Sequence, residues 1–142
     1  MGNTLFVPVF QGLLADVCLK HGATEDGLTT VAEALALADA TGAHLWTPEF
    51  HRLRGELLLA RAGADEADAE AAFRQAVDAA RAQGARAWEL RAAVSLSRLW
   101  QRQGKRDEAR RLVEDIHSWF TEGFDTADLQ AARCRLDELA PP

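Results

Sequence analysis

Three glycines spaced 41 residues apart, Gly22, Gly63 and Gly104, most constrain what this chain can fold into. Each closes a run with an apolar end, "DVCLKHG", "ELLLARAG" and "SRLWQRQG", and Cys18, Leu59 and Trp100 stand four residues before them. After each glycine comes a short polar segment and a second run: "TEDGLTTVAEALALADATG", "ADEADAEAAFRQAVDAARAQG" and "KRDEARRLVEDIHSWFTEG". Within these, Gly27, Ala69 and Ala109 are equivalent, as are Val31, Phe73 and Val113, then Ala34, Ala76 and Ile116. A small residue, a large one four later and another apolar residue three beyond it share one helical face. A fixed period with two helical runs per unit predicts an array whose units bury their apolar faces against their neighbours.

The units are three helical hairpins, over about residues 8–42, 47–84 and 86–123, with a capping helix over about 125–139. Gly42, Gly84 and Gly123 suit the left-handed stop of each second helix. Pro8 marks the first start; Thr47 as cap, Pro48 at the first helical position and Glu49 at the positive helix end mark the second. Trp119 and Phe120 then end the sixth helix, Phe124 pins the turn, and Asp125 or Thr126 caps the last helix. Leu129, Ala132, Leu136 and Leu139 of that helix recur at helical spacing over the third hairpin. With 142 residues, 48% of them hydrophobic, only four prolines and no tyrosine, the chain is sized and composed for one all-α domain, residues 1–142.

Net charge is −6, distributed as −5 over residues 1–50, +4 over 51–111 and −5 over 112–142, so no broad positive field exists for nucleic acid or an anionic membrane. The two cysteines, Cys18 and Cys134, follow no metal or redox spacing, and no apolar run of membrane-spanning length occurs. Reduced thiols in a cytoplasmic protein are expected. His21, His44, His51 and His117 lack the paired spacing of a zinc site, and "ADEADAE" lacks the glycine of a calcium loop, reading instead as an N-capping helix start. No metal or cofactor is expected.

The third hairpin resembles the tetratricopeptide repeat, with Leu96, Ser97, Trp100, Gly104, Ala109, Val113 and Ile116 at the family's core positions. The first matches with Leu14, Ala15, Cys18, Gly22, Gly27, Val31 and Ala34, and the second with Gly55, Ala69 and Phe73. The resemblance implies a right-handed superhelix of three such hairpins plus the C-terminal cap. A period of about 41 against the usual 34 implies helices roughly one turn longer each. "HRLRGELLLA", "AFRQAVDAARAQGARAWELRAAVSLSRLWQRQGKRDEARRLV" and "WFTEGFDTADLQAA" also look like the C-terminal repeats of large bacterial adenylate cyclases and STAND-type ATPase transcriptional regulators. In those proteins a cyclase or DNA-binding module precedes a regulatory ATPase and then the repeats. The cyclase's metal-binding acids and the ATPase's phosphate loop are not in this sequence.

The resemblance places the first helix of each hairpin along a concave groove. Lys20, Arg61 and Arg102 would form a column there, with Arg91 and Arg98 on the same side, a pattern suited to gripping a protein or peptide partner with acidic groups. The competing reading gives these cations to the last turns of their helices, where they complement the dipole. Trp88 is a candidate groove wall, whereas Trp100 is expected in the core. The apolar "TLFVPVF" leaves Val7, Val9 and Phe10 at an edge that meets further repeats of a parent chain or a second copy in a homodimer. The expected function is thus a non-catalytic protein-interaction or regulatory sensor module. A homo-oligomerisation module is the alternative. A small hydrolase would need a pocket joining His44 or His51 to carboxylates.

Overall fold

The computed structural model describes residues 6–141; Thr4 and Leu5 of the N-terminal apolar stretch, with residues 1–3 and 142, lie outside the described residues. The chain is all-α: α1 (Val7–Lys20), α2 (Thr24–Thr41), α3 (Thr47–Ala60), α4 (Glu66–Gln83), α5 (Arg86–Arg102), α6 (Arg106–His117) and α7 (Ala127–Leu139). Pro8 and Pro48 sit in the first turns of α1 and α3, where a missing N–H costs nothing. Thr47 does not cap α3: its hydroxyl lies 3.4 Å from His44 Nδ1 rather than on a backbone amide, and Trp46 holds the cap position. Asp65 does cap α4, accepting the Ala67 N–H at 2.9 Å. Gly22, Gly63 and Gly104 turn the chain within each helix pair at φ of +74°, +71° and +81°, a conformation open to a residue without Cβ.

Two expected boundaries shift. Arg61 lies just past the end of α3, in extended conformation, rather than in its last turn. The sixth helix ends at His117, well before Gly123. There the Trp119 and Phe120 N–H groups donate to the carbonyls of Ile116 and His117, three residues back, at 3.2 and 3.1 Å. The tightened turn ends the helical ladder and leaves Trp119 outside it, edge-on to Phe120 and beneath the Arg86 guanidinium. Phe124 is half exposed against the His117 ring, 5.8 Å between centroids. Thr126 precedes α7 without a side-chain cap, and its N–H donates to Gly123 O instead.

Every inter-helix contact joins either consecutive helices or successive odd-numbered ones: α1 with α3, α3 with α5, α5 with α7. Among the described residues no even-numbered helix lies against another at backbone distance. The odd helices therefore form one continuous side and the even helices flank it. Val31, Phe73, Val113, Ala34, Ala76 and Ile116 are all buried, forming the expected helix face. Two helical glycines permit close packing. A Cβ on Gly55 would stand 2.5 Å from the Phe73 ring, and one on Gly27 would stand 2.7 Å from Leu57. Leu14, expected in the core, is exposed, because it faces away from α2 and α3.

The last helix is locked by chemistry as well as by Leu129, Ala132 and Leu139. Arg135, buried on α7, donates to Ser97 Oγ at 3.2 Å and Gln101 Oε1 at 2.7 Å, both on α5, and pairs with Glu138. Arg106 of α6 donates to the free carbonyl ends of α7 at Glu138 and Ala140.

Candidate functional site

The first helices of the pairs converge on a groove of about 340 Å³ lined by Val9, Gly12, Leu13, Asp16 and Lys20 of α1, Trp46, Glu49 and Arg52 along α3, and Arg91 of α5. Its floor is built by helical spacing. Glu49, in the first turn of α3, is buried and accepts from Arg52, one turn later, at 2.9 and 2.6 Å. Arg91 adds a third bond to Glu49 at 3.1 Å and also reaches Asp128 of α7 at 3.1 and 3.4 Å. One guanidinium thus ties α3, α5 and α7 together. Burial opposes its charge, yet Glu49 and Asp128 outweigh that and hold the Arg91 pKa above its usual value. Neither Glu49 nor Asp128 figured among the sequence candidates. Both follow a helix-start signal that reads equally as dipole compensation, so spacing alone does not separate the two roles.

The column expected of Lys20, Arg61 and Arg102 is not a row of free cations. Lys20 pairs with Asp16 one turn back on α1 at 2.7 Å. Arg61 makes a two-point contact with Glu25 at 2.8 and 3.1 Å, and Arg102 reaches Glu66 at 3.0 Å. Glu25 and Glu66 stand in the first turns of α2 and α4, 41 residues apart like their partners, so the same ion pair recurs at the turn end of successive pairs. Both carboxyls are held below the usual range, Glu25 chiefly by its bond to Arg61 and Glu66 by bonds to Gln103 and Arg102. Arg61 and Arg102 stitch helices together, whereas Lys20 pairs within α1 and lines the groove. Arg98 differs: it is exposed, two turns beyond Arg91 on α5, and makes no ion pair among the described residues.

Trp88 is half-buried, its ring tilted against Trp46 with centroids 5.1 Å apart; Trp46 lines the groove, whereas Trp88 stands behind it and does not. Trp100 lies in the core beneath Arg74. At the N-terminal edge Phe10 is exposed, whereas Val7 and Val9 are partly covered. A second cavity, about 550 Å³, opens between the start of α5 and the α6–α7 connection, lined by Leu90, Trp119, Phe120, Glu122, Asp128 and Leu129 among others. His44 is exposed, and His51 is half-buried with Nδ1 unpartnered; burial first, then Arg54, lowers its pKa while Asp39 opposes them. Neither histidine lines either cavity. Among the described residues no group of three or more His, Cys, Asp or Glu side chains gathers, and no helix is long and apolar enough to cross a membrane.

No family model matches the chain, and no solved structure matches it. An uncharacterized protein of Rhizobium meliloti (strain 1021) is 33% identical over 99 residues, which cover 70% of this chain. The chain spans 10% of that relative's length.

Proposed function

We propose that the chain is a tetratricopeptide-like module, a right-handed superhelix of three helical hairpins with α7 as cap, that binds a peptide or partner domain along its concave, odd-helix side. The observation that carries this reading is the continuous α1–α3–α5 side, which holds a groove over the part-buried Glu49–Arg91–Asp128 network. A network satisfied from within fixes the groove's shape without spending its charges on the partner. Recognition then falls to the packed Trp46 and Trp88 rings and to Arg98, which of the five candidate cations is the one without an ion pair among the described residues. The likeness of "HRLRGELLLA" and the segments after it to the repeats of large signalling ATPases and cyclases supports placing the module in a cytoplasmic regulator of that kind, and the length of the Rhizobium relative fits a large parent protein. Homo-oligomerisation is the second reading, favoured by the exposed Phe10 beside Val7 and Val9.

Peptides selected from a displayed random library on the immobilised protein test groove binding. Trp88→Ala and Arg98→Glu are expected each to weaken the selected peptides at least about tenfold, with helicity unchanged, as loss of a central anchor does. Peptides that bind both variants undiminished would place recognition elsewhere.

A further inference from the structure

The exposed side of α1 has the spacing of a buried interface. α1 and α3 are both 14 residues long and carry proline in the same turn, 40 positions apart. In that register Phe6, Phe10, Leu13 and Val17 stand where the α3 region has Trp46, Phe50, Leu53 and Leu57. Phe50, Leu53 and Leu57 are 1%, 1% and 0% exposed, packed with Ala15, Val31 and Ala34 of the preceding pair, and Leu57 lies against Gly27. Their counterparts Phe10, Leu13 and Val17 are 67%, 57% and 49% exposed. α5 repeats the spacing with Trp88, Ala92, Ser95 and Leu99, and the last three are buried, Ala92 against Ala76 and Val77 of α4.

We propose that this side of α1 is a docking surface for one further helical hairpin of the same kind, supplied by chain upstream of Met1. Its second helix would present a small-residue ridge like Gly27, Val31 and Ala34 of α2. The links between successive pairs, residues 42–46 and 84–85, are short, so a hairpin of the same kind would join α1 through a link of only a few residues. A second copy does not supply the ridge: its α2 ridge already holds its own α3, and its far end is closed by α7, which turns Gln130, Arg133 and Asp137 outward. The match takes up only 10% of the Rhizobium relative, which has ample chain for adjoining hairpins. The inference rests on the repeat reading of the proposed function and is independent of what the groove binds.

The test is a tandem protein in which residues 7–46 are repeated ahead of Val7 of the full chain, so that a copy of α2 stands before the original α1. The added segment is expected to fold, and amide exchange in the original α1 to slow at least about tenfold relative to the existing chain. Phe10→Glu in the original α1, outside the groove lining, should erase that slowing in the tandem, yet shift the melting temperature of the existing chain by no more than about 2 °C, as surface changes do. Three results would each overturn the proposal: an added segment that stays unfolded, an original α1 that exchanges equally fast in both proteins, or an existing chain that sediments as a dimer dissociated by Phe10→Glu. Loss of groove binding with the tandem protection intact would instead count against the proposed function alone.

Discussion

At the scale of single residues, a recurring set of charged pairs joins neighbouring helices. Arg61 with Glu25 and Arg102 with Glu66 recur with the period of the glycines, and Glu89, buried at the start of α5, holds Arg81 at 3.0 Å and Arg86 at 2.9 Å. Exposed pairs of this kind contribute little each, and their value lies in fixing geometry. Titration separates them from the core. The folded pKa of His51 lies below its ordinary 6.5, so the unfolded chain takes up the proton first as pH falls. Stability present at neutral pH is therefore lost as pH drops through about 6.5 towards the lower folded pKa. His51→Leu should flatten the fall in melting temperature between about pH 7.5 and 5.5; an unaltered slope would remove His51 as its source. Glu25 and Glu66, held below 4.5, contribute stability above that value and lose it only in more acid solution. The basic column shows what sequence leaves open at this scale. Lys20, Arg61 and Arg102 are recognisable from their period, but whether they face a ligand or an acid depends on where Glu25 and Glu66 point, which needs the packed helices.

At the scale of helices, small residues set how closely neighbours approach, and two glycines make opposite predictions. In α3 a Cβ on Gly55 meets the fully buried Phe73 ring at 2.5 Å, which has no room to move aside. In α1 a Cβ on Gly12 meets Phe50 at 3.7 Å, an ordinary contact. Alanine gains roughly 1 kcal/mol over glycine in a helix interior, whereas overpacking costs about 1–3 kcal/mol. Gly12→Ala should thus raise the melting temperature and Gly55→Ala lower it. Chemical denaturation measures both, and a stabilised Gly55→Ala would mean that α3 and α4 stand farther apart. The small–large–apolar pattern at Gly27, Val31 and Ala34 and its two later copies was legible because helical packing imposes a period on the sequence. The end of α6 was not. "SWFTEG" carries helix-compatible apolar residues up to Gly123, and the turn at Ile116–Phe120 is set by tertiary contacts of Trp119 and Phe120 that spacing does not encode.

At the scale of the molecule, the two ends of the stack differ. α7 covers α5 and α6, is pinned by Arg135 and Arg106, and turns polar residues outward, whereas α1 leaves Phe6, Phe10, Leu13, Leu14 and Val17 uncovered. The apolar N-terminal edge was legible in the sequence at Val7, Val9 and Phe10. Its extent along α1 was not, because Leu14 read as core, and the side that Leu13 and Val17 occupy shows only in the 40-residue register with α3. The same asymmetry underlies both proposals, a groove shaped by the odd helices and a terminus prepared for another hairpin. Hydrogen exchange of the existing chain, resolved by helix, measures it most directly. In a stack open at α1 and closed at α7, amides of α1 exchange at least about tenfold faster than those of α3, a helix of the same length that is packed on both sides. Protection of α1 equal to that of α3, in a chain that sediments as a monomer, would contradict it.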